Sequence, residues 1–122
     1  MSTDQQIEQE IQAKGKTAPR VTPADIEAAI ASEHYFTAAE GYWAAESVNS
    51  TDDDLMGCPA PLSLLTFCVL VLRNGFTVTG ESACASPENF DAELGRKIAR
   101  ANAVTKVWPL LGYELRTKLS QA

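Results

Sequence analysis

Asn74-Gly75 sits between two apolar, β-prone runs, and no other feature of the chain restricts its possible folds as tightly. Leu64 to Leu72 reads LLTFCVLVL and Phe76 to Thr79 reads FTVT. The dipeptide readily takes the two positive φ angles of a type I′ turn, so the spacing predicts a β-hairpin. A two-residue turn would set Val71 opposite Val78, Val69 opposite Gly80 and Phe67 opposite Ser82, because the turn fixes the register. One face would then carry Phe67, Val69, Val71, Phe76 and Val78. The other would set Thr66, Cys68, Leu70 and Leu72 against Thr77, Thr79 and Glu81. The first strand is apolar on both sides, as expected of a strand covered on both faces.

A helix is signalled next by Ser86-Pro87-Glu88-Asn89-Phe90-Asp91. Ser86 or Asn89 can cap it, Pro87 tolerates the first turn, and Glu88, Asp91 and Glu93 sit where the helix dipole favours anions. Phe90, Leu94, Ile98, Ala101, Val104, Trp108, Leu111, Leu115 and Leu119 recur in steps of three and four, which predicts one apolar helical face. Pro109 removes a backbone donor and Gly112 loosens the next turn, so a kink or a break is expected there. Thirty helical residues reach about 45 Å, longer than a hairpin of this size covers. The overhang points to a homo-oligomer.

Upstream, residues 1–20 are rich in Gln, Glu and Lys, with Ile7 and Ile11 the only aliphatic anchors before Val21. A helix that short is marginal alone, so this segment is expected to be a flexible N-terminal tail. Thr22-Pro23-Ala24-Asp25 is a stronger start signal, with Thr22 as cap and Asp25 answering from the third position. That helix should end near Ser32, and His34 to Ala39 reads as a short strand able to extend the hairpin. Residues 42–62 show no clear period and read as a long irregular loop. The expectation is an α+β domain over 21–122: a small antiparallel sheet of two or three strands packed on a long C-terminal helix, with a short helix before it.

The chain of 122 residues has a formal charge of −6, unevenly spread. Residues 1–62 hold eleven acidic and three basic side chains, whereas 86–122 hold four acidic and six basic ones. The acidic balance argues against duplex nucleic acid as a partner, since that binding relies on a summed positive field. Leu62 to Leu72 is too short to span a bilayer, so no membrane partner is expected. Cys58, Cys68 and Cys84 lack paired spacing and read as reduced thiols in a cytoplasmic protein. No metal and no cofactor are expected: Asp52-Asp53-Asp54 lacks the alternate spacing of a calcium loop, and three scattered cysteines with one histidine do not make a zinc set. His34 would have to carry any nucleophilic triad, yet it stands in an apparent strand beside Tyr35 and Phe36. The reading is therefore not an enzyme.

Binding is what remains. Arg96 and Arg100 lie four residues apart on one helical flank, and Lys106 follows. Near Phe76, Ser82 and Asn89, they could hold a phosphorylated planar ligand by charge-assisted bonds and stacking. The same cations would equally serve as solubilising residues on an outward face.

The run Arg73-Asn74-Gly75-Phe76-Thr77-Val78-Thr79-Gly80-Glu81-Ser82-Ala83-Cys84, followed by Ser86-Pro87-Glu88-Asn89-Phe90-Asp91 and Trp108-Pro109-Leu110-Leu111-Gly112-Tyr113, resembles the bacteriophage accessory family named after gene products 49 and 66 of two phages. The resemblance extends back through Val21-Thr22-Pro23 and His34 to Gly41. It implies a phage protein working in the host cytoplasm. The NGF, ESAC and NFD segments are also similar to those of phage anti-Thoeris sponge proteins, small oligomers that sequester a cyclised ADP-ribose signal, some of them also cyclic oligonucleotides, without chemistry. That resemblance implies Asn89 and Asp91 as ligand contacts with Phe76 stacking; charge and position add Arg96, Arg100 and Lys106. The expected function is sequestration of a small anionic nucleotide. The alternative is an interaction module that inhibits a host protein.

Overall fold

The computed structural model of the protein describes residues 3–49 and 57–122. β2 (Leu65–Leu72) is its axis, flanked on one side by β1 (Ile30–Thr37) and on the other by β3 (Thr77–Ala83) in a three-stranded antiparallel sheet of order β1-β2-β3. Around it stand the helices α1 (Thr3–Ala13), α2 (Pro23–Ala29), α3 (Ala38–Asn49) and α4 (Ala92–Ser120), with tight 3-10 turns at Ala60–Leu64 and Pro87–Asn89. The chain is α+β, with the long C-terminal helix laid across β3 and β2.

The hairpin is present, but its turn is one residue longer than Asn-Gly suggests. Gly75 N–H donates to the Leu72 carbonyl and Leu72 N–H to the Phe76 carbonyl, both at 2.8 Å, which encloses the three residues Arg73, Asn74 and Gly75. Gly75 takes φ +88° while Asn74 keeps a negative φ, so the turn is not type I′. Asn74 instead accepts from the Phe76 N–H through its side-chain oxygen at 3.0 Å. Val71 therefore faces Thr77, Leu70 faces Val78, Cys68 faces Gly80 and Phe67 faces Glu81. A one-residue slip exchanges the two faces of β3. Val78 joins Leu70 in the core, and Thr77, Thr79 and Glu81 move beside Phe67, Val69 and Val71 on the outer face.

The core lies between the sheet and α4. Ile26, Cys68, Leu70, Leu72, Val78, Ala99, Ala103 and Val107 are buried there. The buried line of α4 is Gly95, Ala99, Ala103 and Val107, not the expected stripe through Leu94 and Ile98, which are 53% and 43% exposed. Small residues win because the helix backbone comes down onto the sheet. A Cβ on Gly95 would sit 3.1 Å from Thr66 Oγ1, so larger side chains are displaced to the flanks. Of the expected stripe, Val104, Trp108 and Leu111 pack against the core from its edge.

Four further expectations are corrected. α4 runs through Pro109 as one helix instead of breaking into two, with Val107 buried before it and Leu111 packed after it, so contact with the core carries the helix past the missing donor. α2 ends at Ala29 rather than near Ser32, and the chain enters β1 at once. Residues 3–13, read as tail, form α1, and residues 42–49, read as loop, complete α3. Residues 50–56, including Asp52-Asp53-Asp54, lie outside the described residues. Among the described residues, no helix is long and apolar enough to cross a membrane.

The outer face of the sheet is the opposite of its core face. Leu65, Phe67, Val69 and Val71 form a continuous apolar row along β2, each only half-buried. Phe36 of β1 pairs with Phe67 of β2, ring centroids 5.7 Å apart. Ser32 and His34 from β1, and Thr77, Thr79 and Glu81 from β3, border the row.

Candidate functional site

The seven residues singled out from the sequence fall into several places. Three converge where β3 ends and α4 begins. After the 3-10 turn at Pro87–Asn89, Asp91, not Ser86 or Asn89, caps α4: its carboxylate accepts from the Leu94 N–H at 3.0 Å. The Asp91 carbonyl accepts from Gly95 N–H at 2.8 Å. Ser82, Asn89 and Asp91 then line one groove with Leu64, Cys84, Phe90, Leu94 and Ile98. The groove holds about 200 Å³. Ligand pockets usually run from about 300 to 1,000 Å³, so one chain by itself offers a nucleotide little room. One Asp91 oxygen is already engaged in capping.

The arginines lie on the other flank of α4. Arg100 donates through Nε to Glu33 at 3.0 Å and through Nη2 to Glu27 at 2.8 Å, joining α4 to β1 and α2. Tyr35 Oη donates to the second Glu33 oxygen at 2.9 Å. Burial works to raise the Glu33 pKa, but the bonds from Tyr35 and Arg100 outweigh it and hold the carboxyl below its ordinary value. The Tyr35 hydroxyl is pushed up by burial and by Glu33. The Glu27 bond, reinforced by Glu33 against desolvation, holds Arg100 firmly protonated. With two carboxylates on it, this guanidinium is occupied and not free for a phosphate. Arg96, four residues earlier, shares that flank, is exposed, and has no ion pair among the described residues.

The groove belongs to the flank that carries Leu94, Ile98 and Asn102, where Asn102 Nδ2 donates to the Glu81 carbonyl at 2.7 Å. Lys106 lies four residues beyond Asn102 on that side, but some fifteen residues, or about 22 Å, from Asp91. Phe76 is 57% exposed at the hairpin tip. From there to Ser82 the strand rises about 20 Å. Phe76, the groove and the paired arginines are therefore not one constellation. The carboxylates of Glu27 and Glu33 escaped sequence reading because they meet Arg100 across 73 and 67 residues of chain. No local spacing signals such a meeting.

Among the described residues, no group of three His, Cys, Asp or Glu is placed to hold a metal ion. Cys68 is fully buried and its thiol pKa is pushed up by burial. His34 lies on β1, where its Nε2 is 3.0 Å from Ser32 Oγ.

A family model described as the phage protein (N4 Gp49/phage Sf6 gene 66) family matches residues 21–119. No curated protein and no solved structure matches the chain.

Proposed function

The chain belongs to the phage N4 Gp49/Sf6 gene 66 family, and from that premise we propose that it works in the host cell by contact without catalysis, as an interaction module that engages and inhibits a host protein. The observation that carries this reading is the outer face of the sheet. Leu65, Phe67, Val69 and Val71 stand half-buried in one row, with Phe36 exposed beside Phe67. The hydroxyls of Ser32, Thr77 and Thr79, the His34 ring and the Glu81 carboxylate border them, an apolar centre with a polar rim of the kind protein interfaces use. A photo-crosslinking residue at Thr79, on the same face, should give an adduct with one defined host protein during infection, and Val69→Arg should abolish it at unchanged thermal stability. Adducts between copies of the chain alone would assign the face to self-association and overturn the reading.

A second reading is sequestration of a small anionic nucleotide. The convergence of Ser82, Asn89 and Asp91 in one groove favours it, and the size of the groove then calls for a second copy to complete the wall. Isothermal titration with cyclic ADP-ribose isomers and cyclic di- and trinucleotides tests it. Binding weakened at least tenfold by Asn89→Ala is expected; no heat with any of them removes it.

A further inference from the structure

α1 occupies a groove built by the rest of the chain, and it fills that groove poorly. Its eleven residues bury no side chain fully, and Ile7 is 51% exposed. A helix of this length is marginal alone, so its neighbours stabilise it. Ile7 and Ile11, one turn apart, face a floor of Val21, Pro23 and Trp108. Two acids add polar contacts beside the isoleucines. Asp4 accepts from the Trp108 Nε1–H at 3.2 Å, and Glu8 accepts from both terminal guanidinium nitrogens of Arg20, from Nη2 at 2.6 Å. Hollows of about 550 and 630 Å³ remain beside the helix, the larger reaching Val104 and Arg100 along α4. Glu27 on its rim is paired with Arg100, which it shares with Glu33, so the cation the groove offers an acidic ligand is Arg20. The family match begins at residue 21. Val21, Pro23 and Trp108 thus lie within the matched region, while α1 and its ion-pair partner Arg20 lie outside it.

We propose that the groove between α2 and α4 is a receptor for an acidic amphipathic helix of a partner protein, and that α1 is the chain's own stand-in for that helix. The recognition chemistry is the one α1 displays: an acid for the Trp108 indole N–H, a second acid four residues later for Arg20, and two aliphatic side chains at the intervening turn spacing for the apolar floor. Partner side chains larger than those of α1 would fill the hollows it leaves. This surface is separate from the outer sheet face, and the proposal stands or falls without it.

The test uses the full-length chain and a fluorescent peptide of residues 3–13, with positions 6 and 10 bridged through their side chains to hold the helix. In Ile7→Asp/Glu8→Gln the intramolecular helix is weakened while the groove is untouched. Both substitutions fall on a helix with no buried residue, so circular dichroism and the melting temperature should show the sheet domain intact. The peptide should bind this variant at least tenfold more tightly than wild type, and adding Arg20→Ala should reverse that gain. A peptide with Asp4→Asn and Glu8→Gln should bind at least tenfold more weakly. Equal affinities for wild type and variant, or no binding to either, would overturn the proposal. A concentration-dependent wild-type dimer that disappears in the variant would identify the occupant as α1 of a second copy and overturn the assignment to a partner protein.

Discussion

Gly80 of β3 lies directly beneath Ala103 of α4, so close that a Cβ on Gly80 would overlap the Ala103 backbone nitrogen and the Ala99 carbonyl oxygen. Neither obstacle is a side chain that can swing away. Gly80→Ala must lift the helix from the sheet, and should cost at least about 3 kcal/mol, the upper end of overpacking penalties. Urea unfolding followed by circular dichroism reads this directly.

Gly75 tests the opposite physics. Nothing lies within 4 Å of a Cβ built there, but its φ of +88° is one that side-chain-bearing residues rarely adopt. Gly75→Ala should lose about 1–2 kcal/mol through backbone conformation alone. Asn74→Ala, which removes the side-chain bond to Phe76 N–H but meets no φ barrier, should lose less, about 0.5–1 kcal/mol. If Asn74 proved the costlier site, the three-residue turn would be wrong.

The Arg100 cluster should make stability pH-dependent. Because Glu33 titrates below its ordinary 4.5 in the folded chain, its contribution is complete above about pH 4.5 and is lost as the pH falls through the folded value. Arg100→Ala should cost about 1–2 kcal/mol at pH 7, since it strips two carboxylates of their partner, and should flatten the fall in unfolding midpoint between pH 5 and pH 3. An unchanged pH profile would remove Glu33 from the account.

Glu8 predicts a second, local acid transition. Its bonds from Arg20 and Gln12 hold the carboxyl down to about 2 against an ordinary 4.5. The attachment of α1 should therefore be complete above pH 4.5 and weaken progressively toward pH 2. Amide exchange over residues 3–13 should quicken across that range while β2 stays protected, and Glu8→Gln should exchange quickly at every pH.

Asp91 separates capping from ligand contact. Asp91→Ala should cost about 1 kcal/mol by losing the bond to Leu94 N–H, while Asp91→Asn, which keeps a capping oxygen, should lose much less. Any larger effect of Asp91→Asn on nucleotide affinity than on the unfolding midpoint would give the residue a role beyond the cap.

The strand at LLTFCVLVL, the position of the hairpin turn at Asn74-Gly75 and the capping of α2 by Thr22 and Asp25 were legible in the sequence, because each rests on interactions between near neighbours. The same residues left open which side of β3 enters the core. Whether Asn74 takes a positive φ decides that, and one residue more in the turn reverses every side chain of the strand. The buried face of α4 was likewise decided in three dimensions. Hydrophobicity alone favours Leu94 and Ile98, yet the close approach of helix to sheet seats Gly95, Ala99 and Ala103 in the line that ends at Val107; their regular spacing of four was the signal in the sequence, and small size rather than hydrophobicity was its meaning. The pairing of Arg100 with Glu27 and Glu33 was beyond local reading altogether, since only the packing of α4 against α2 and β1 brings those charges within bonding distance and takes the arginine out of any anion site.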